Sequence, residues 1–91
     1  GYLKIDEGAE NALRKGKSLL AAGVKSVDGS FKKGDQIKII GKNNEELAIG
    51  LSSFSSDEIS KIKGHQSNKI EELIGYKTKT EVVHKDDMVE I

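Results

Sequence analysis

The residues with the clearest chemical potential lie within residues 16–35, which combine glycines, apolar residues and positive charge. The tripeptide Gly16-Lys17-Ser18 looks like the end of a phosphate-binding P-loop, in which a lysine and backbone N–H groups hold phosphates. That motif also needs a glycine five residues before Gly16, where this chain has Asn11, and it must open a helix. Here the tripeptide follows a predicted helix, so we do not expect a nucleotide site.

Positive charge is concentrated in the same part of the chain. Residues 14–33 contain six basic residues and one acid, Asp28, although the formal net charge of the chain is zero. Residues 1–42 hold nine basic and five acidic residues, a balance of +4, whereas residues 43–91 hold six and ten, a balance of −4. A domain with one basic side can attract a polyanion even when its total charge is neutral.

The other ionisable residues do not form a catalytic or metal-binding pattern. His65 and His84 are the only histidines, they are far apart, and the chain has no cysteine to complete a zinc site. His84 with Asp86 and Asp87 has ligand types that suit Mg²⁺, but we interpret it as a strand-end histidine beside a solvated acidic turn. The serines are better explained as helix-start residues than as nucleophiles. We therefore expect no catalytic residue, metal site or cofactor site in these 91 residues.

The composition indicates one small globular domain. The chain has 91 residues, of which 35% are hydrophobic and 33% are charged, and this length suits a single modest core. It lacks the apolar run of roughly 20 residues that a membrane span requires, so we expect a cytoplasmic protein without a membrane partner. Because the chain starts at Gly1 rather than methionine, we expect it to be part of a longer protein.

The first half of the chain predicts one short helix among strands. Leu3 and Ile5 alternate with polar residues as in a strand, Asp6 has the character of a helix N-cap, and Gly16 ends the helix. The apolar face of this helix comprises Ala9, Ala12 and Leu13. Strands are predicted at residues 24–27, 36–40 and 47–54, with a bulge or a close backbone approach at Gly50.

The second half predicts two capped helices followed by two strands. Ser55 and Glu58 match a capping box, and Asn68 and Glu71 repeat that spacing before a stop at Gly75. Strands are predicted at residues 81–84 and 88–91, separated by a polar turn. Several short strands with helices inserted between them favour a mainly β fold with short helices (α+β), arranged as a small mixed barrel rather than a parallel βαβ sheet.

Five segments in order resemble one known family. They are IDEGAENAL, GKSLLAAGVKSVDGSFKKGD, ELAIGLSSFSSDEI, IKGHQSNKIEELIGY and VVHKDDMV. Together they cover essentially the whole chain and resemble the PUA domain that forms the C-terminal part of bacterial glutamate 5-kinase (gamma-glutamyl kinase). The resemblance implies a PUA pseudo-barrel over residues 1–91, as the C-terminal fragment of a longer kinase.

The resemblance also implies partners and a division of labour. The parent enzyme phosphorylates glutamate in the first step of proline biosynthesis, and its ATP and Mg²⁺ belong to an amino-acid-kinase domain. That domain is the expected partner, with oligomers formed through the parent, and this domain is expected to be non-catalytic with a regulatory or assembly role.

The alternative is that the chain is an RNA-binding module. PUA domains that bind RNA typically use the first helix, the glycine-containing loop after it and the adjoining strand. Carried over by position, this candidate surface comprises Arg14, Lys15, Gly16, Lys17, Ser18, Gly23, Val24 and Lys25. The same residues also suit a helix C-terminus, a glycine cap and a core position, so both functions remain open from the sequence.

Overall fold

The computed structural model describes residues 1–76 and 78–91. Its helices are α1 (Glu7–Arg14), α2 (Ser56–Ile62) and α3 (Ile70–Ile74). Its strands are β1 (Tyr2–Ile5), β2 (Leu19–Leu20), β3 (Val24–Asp28), β4 (Gln36–Ile40), β5 (Glu46–Leu51), β6 (Glu81–Val83) and β7 (Met88–Glu90). Short 3₁₀ turns occupy Ala21–Gly23, Ser67–Lys69 and Lys85–Asp87.

The strands form two sheets. A five-stranded sheet has the order β3-β1-β4-β5-β7, and β2 pairs with β6 in a two-stranded sheet. All pairs are antiparallel except β1 with β4, which run parallel. The mainly β fold with short helices that the sequence predicts is therefore confirmed, and the connections are not those of a parallel βαβ sheet.

The core lies on one face of the five-stranded sheet. Alternation along β1 and β4 turns Leu3, Ile5, Ile37 and Ile39 inward, and each of them is at most 1% exposed. These side chains belong to one apolar cluster with residues of all three helices and of β6. The further buried members include Leu13, Phe31, Phe54, Ile59, Ile62, Ile70, Val82 and Val83.

The first two helices begin as the sequence predicts. A side-chain oxygen of Asp6 accepts a hydrogen bond from the backbone N–H of Ala9 at 2.8 Å, which caps α1. At the start of α2, Ser55 accepts from the N–H of Glu58, and the Glu58 carboxylate accepts from the N–H of Ser55. This reciprocal pair is a capping box, and it confirms the prediction.

Two predictions about element boundaries are wrong. The predicted strand at residues 47–54 ends at Leu51, because the chain soon turns from β4 to β6: the N–H of Ser53 donates to the carbonyl of Val82, and the hydroxyl of Ser52 donates to the carbonyl of Phe54. Asn68 does not cap a helix, since it lies inside a 3₁₀ turn and α3 begins at Ile70 without a side-chain cap. The predicted stop at Gly75 is confirmed, with φ of 87°.

Gly50 marks the place where the two sheets meet. A Cβ at this position would lie 2.6 Å from Cγ1 of Val83 in β6 and 3.1 Å from the carbonyl oxygen of Asp87. The predicted close approach at Gly50 is therefore confirmed, whereas the register shift between β4 and β5 lies near the start of β5, where Ile39 pairs with Ala48 and Ile40 with Glu46. Only a residue without a side chain lets β5 pack this closely against β6.

Candidate functional site

A cleft beside α1 is a ligand-sized concavity in the described part of the chain. It has a volume of about 420 Å³, within the range of roughly 300–1,000 Å³ typical of ligand sites. We call it the α1 cleft. Its lining residues are Asp6, Gly8, Ala9, Ala12, Lys17, Ser18, Leu20, Ala22, Gly23 and Glu81.

The α1 cleft exists because small residues face one another. Ala9 and Ala12 come from α1, and Ala22 and Gly23 come from the 3₁₀ turn opposite. A side chain at Gly23 would collide with the Cβ of Ala9, and the N–H of Asp6 donates to the carbonyl of Gly23 at 2.9 Å. The two segments are thus held close at one end, and the cleft opens beyond that contact.

Both signs of charge line the α1 cleft. Among the described residues, Lys17 is the one basic residue of its lining, whereas Asp6 and Glu81 supply two carboxylates. The Asp6 carboxylate is already engaged as the cap of α1, and Glu81 accepts a hydrogen bond from the hydroxyl of Thr80 at 3.1 Å. A phosphate chain entering the cleft would face these two acids. The cleft itself therefore suits an apolar group flanked by polar ones better than a polyanion.

The structure brings only part of the predicted RNA-binding surface to the cleft. Lys17, Ser18 and Gly23 line it, while Lys15 and Gly16 are exposed at the end of α1. The hydroxyl of Ser18 accepts a hydrogen bond from the backbone N–H of Lys85 at 2.8 Å, which ties the loop after α1 to the turn before β7. Lys17 therefore lines the cleft, whereas Lys15 is exposed at the end of α1 and is not part of the lining.

Arg14 forms ion pairs with acidic neighbours and does not line the cleft. Its guanidinium lies 3.0 Å from a carboxylate oxygen of Glu10 and 3.6 Å from one of Glu45. The hydrogen bond with Glu10 raises the pKa of Arg14 above its ordinary value, with further contributions from the nearby carboxylates. Arg14 is thus committed to these acids on the side of α1 that faces β5.

Val24 and Lys25 complete the predicted set. The side chain of Val24 is 2% exposed and belongs to the core, so it offers a ligand only its backbone. Lys25 is exposed on β3 and is not part of the cleft lining. Two other lining residues, Leu20 and Glu81, could not be predicted from the sequence, because they come together only when β2 pairs with β6.

The remaining ionisable residues are engaged locally. His84 accepts a hydrogen bond from the N–H of Asp86 at 3.1 Å through Nδ1. Glu45 and Glu46 diverge to different partners, Arg14 and Lys38, as expected for adjacent residues. Among residues 1–76 and 78–91, no group of three or more His, Cys, Asp or Glu side chains is arranged to hold a metal ion. In the same residues, no helix has the length and apolar character needed to cross a membrane.

Comparison with protein families and curated proteins gives consistent matches. A family model described as "PUA domain" matches residues 1–74. The chain is 64% identical over 91 residues to a glutamate 5-kinase of Pelagibacter ubique, covering 100% of this chain and 25% of that relative. It is 52% identical over 89 residues to "Glutamate 5-kinase 1" of Rhizobium meliloti, covering 98% of this chain and 23% of the relative. The chain thus spans about a quarter of the length of these relatives.

Solved structures share the fold. A PUA domain from Aeropyrum pernix K1 matches with a TM-score of 0.66 and 26% identity, covering 92% of this chain and 42% of that one. A chain of the archaeal box H/ACA sRNP Nop10-Cbf5 complex matches with a TM-score of 0.61 and 28% identity, covering 64% of this chain and 19% of that one. These structures and the family model agree on the same architecture.

Proposed function

The chain belongs to the PUA domain family, and we propose that it is the non-catalytic C-terminal domain of a glutamate 5-kinase with a regulatory or assembly role. The observation that carries this proposal is the 64% identity over the full 91 residues to a protein of which they form 25%. In this proposal the remaining sequence of the parent chain binds ATP and Mg²⁺ and phosphorylates glutamate in the bacterial cytoplasm.

The side chains of the domain support a non-catalytic role. A catalytic site needs a nucleophile or base held in reach of a substrate, or a metal with open coordination. In the described residues the two buried polar side chains, Ser52 and Ser56, bond to the backbone of Phe54 and Phe31. The Asp6 and Glu58 carboxylates cap helices. These polar groups are used to hold the fold together.

Removal of the domain from its parent tests the proposal. We expect a parent chain that lacks residues 1–91 to phosphorylate glutamate at a similar rate, while its response to proline or magnesium, or its oligomeric mass, changes. Steady-state kinetics and light scattering measure these quantities. Unchanged regulation together with unchanged mass would refute the proposed role.

A second candidate function is the binding of structured RNA at the end of α1. It is supported by Lys15, Gly16 and Lys17, which are consecutive exposed residues, of which Lys17 lines the α1 cleft. Lysines there would neutralise phosphates and release counterions, and a glycine lets a sugar-phosphate backbone approach closely. The two carboxylates that line the cleft weigh against this candidate, so we rank it second.

A salt-dependent titration tests the RNA candidate. The 91-residue chain would be titrated with a structured RNA at two salt concentrations and compared with Lys15→Ala/Lys17→Ala/Lys25→Ala. The control removes three exposed lysines elsewhere: Lys61→Ala/Lys63→Ala/Lys79→Ala. If RNA binds at the end of α1, we expect the first triple variant to reduce the slope of log affinity against log salt concentration by about 2–3. The control variant should change that slope little. No binding, or equal losses in both variants, would count against this function.

A further inference from the structure

The outer face of the five-stranded sheet carries apolar side chains that the fold leaves uncovered. Inward alternation of the core residues turns Tyr2, Ile49, Leu51 and Val89 to the opposite side of the sheet. Tyr2 is 42% exposed, Leu51 45% and Val89 72%, and Ile49 is half-buried. We call these four residues the outer apolar face.

The strand register places these residues beside one another. Tyr2 stands opposite Lys38, Lys38 opposite Ile49, and Ile49 opposite Val89, so one row crosses β1, β4, β5 and β7. Leu51 lies two residues from Ile49 on the same side of β5 and is paired with Gln36. The members come from three strands that are distant in sequence, which explains why no segment of the sequence reveals the face.

Polar groups lie within and beside this face. Lys38 lies in the row between Tyr2 and Ile49 and forms an ion pair with Glu46 at 3.0 Å. At the end of the row, a hydrogen bond with Asp28 holds the pKa of the Tyr2 hydroxyl above its ordinary value. Apolar side chains combined with a few polar groups are usual at a protein–protein contact. Contiguous exposed apolar side chains on a small domain commonly mark such a surface.

The position of Gly1 points to the occupant. The carbonyl of Gly1 accepts a hydrogen bond from the N–H of Lys38 at 3.2 Å, so the pairing of β1 with β4 continues to the first residue. In a chain as long as the relatives, another residue would precede Gly1. If the β1–β4 register continues, that residue lies beside Gln36 of β4, and Gln36 pairs on its other side with Leu51 of β5. Upstream sequence would thus leave the domain next to the outer apolar face. Tethering at this point gives it a high effective concentration there.

We propose that the outer apolar face is the surface on which the upstream, kinase-homologous part of the longer chain packs. This inference rests on the proposed function, because it assumes the parent chain. The α1 cleft, whose lining shares no residue with this face, is then left open in the assembled protein. In the full-length protein we therefore expect the outer apolar face to lose solvent exposure relative to the 91-residue chain, and the α1 cleft to keep it.

Hydroxyl-radical footprinting of both proteins tests the inference with matched residues. Leu51 on the outer apolar face and Leu20 at the α1 cleft have nearly equal exposure, 45% and 44%. Tyr2 and Tyr76 form a second pair, at 42% and 49%. We expect oxidation of Leu51 and Tyr2 to fall severalfold in the full-length protein, while oxidation of Leu20 and Tyr76 stays the same.

Charge substitutions sharpen the test. In the full-length protein, Leu51→Glu is expected to return Tyr2 to the oxidation rate of the 91-residue chain, whereas Leu20→Glu leaves Tyr2 protected. Because both leucines are largely exposed in the 91-residue chain, neither variant should unfold it, and circular dichroism checks this.

Four outcomes separate the inference from the proposed function. Equal oxidation of Leu51 in both proteins would overturn the inference, as would protection of Leu20 in its place. If the domain's removal still alters regulation or mass, the proposed function survives that result. If removal alters neither, the proposed function fails as well.

Discussion

Substitution of Gly50 by alanine is expected to destabilise the domain by wedging its two sheets apart. The added Cβ would lie 2.6 Å from Cγ1 of Val83, whereas carbon atoms in contact normally stand about 3.5–4.0 Å apart. The added Cβ would also lie only 3.1 Å from the carbonyl oxygen of Asp87. Either Val83 leaves its packed position or β5 separates from β6.

The magnitude follows from two opposing effects. Overpacking of a core typically costs about 1–3 kcal/mol, and the reduced freedom of alanine in the unfolded chain offsets about 0.4–1 kcal/mol. We therefore expect a net loss of about 1–2 kcal/mol in the free energy of unfolding. In a domain of this size that loss lowers Tm by about 5–15 °C.

Thermal and urea unfolding of the 91-residue chain, followed by circular dichroism, measure this loss. Gly8→Ala is the matched control, since its Cβ would meet only an Asp6 side-chain oxygen at an ordinary 3.5 Å. In helix α1 this control should be neutral or stabilising by up to about 1 kcal/mol. In a Val83→Ala background the cost of Gly50→Ala should shrink. An unchanged Tm for Gly50→Ala would refute the close packing of the two sheets.

Three further predictions concern helix ends and pH. Ser55→Ala should cost about 1 kcal/mol of stability by urea unfolding because it removes a capping hydrogen bond, whereas Asn68→Ala should be near neutral; equal losses would contradict the different caps. Gly75→Ala should cost about 1 kcal/mol because of its left-handed backbone, and an unchanged urea midpoint would contradict that conformation. Burial raises the pKa of Glu58, but hydrogen bonds with Tyr76 and Ser55 outweigh burial and hold it below its ordinary value of 4.5. This stabilisation is present above pH 4.5 and is lost as the pH falls through the lowered pKa. Glu58→Gln should therefore reduce the fall in the free energy of unfolding below pH 4.5. An unchanged pH dependence would contradict a lowered pKa of Glu58.

Local signals in the sequence predicted most of the elements. The caps at Asp6 and Ser55 and the strand at Gln36–Ile40 each depend on residues close together in the chain, and each is confirmed. The errors arose where distant segments decide the structure. β5 ends where the N–H of Ser53 turns to the carbonyl of Val82 in β6, and no pattern within residues 47–54 shows that contact.

The candidate site was only partly accessible to sequence reasoning for the same reason. The placement of lysines and glycine after α1 follows from the order of the chain, so the exposed lysines Lys15 and Lys17 could be predicted from the sequence. The pairing of Arg14 with Glu10 was also readable from its spacing of four residues. The contact of Arg14 with Glu45, the carboxylate of Glu81 in the cleft and the outer apolar face all require the strand register.

Cleavage of the assembled parent protein is the most direct test of the proposed regulatory or assembly role. A protease site placed immediately before Gly1 would allow one preparation to be assayed for glutamate phosphorylation, response to proline and oligomeric mass before and after the domain is released. We expect the phosphorylation rate at saturating substrate to persist while the response to proline or the mass changes. Loss of phosphorylation on release, or retention of all three properties, would contradict it.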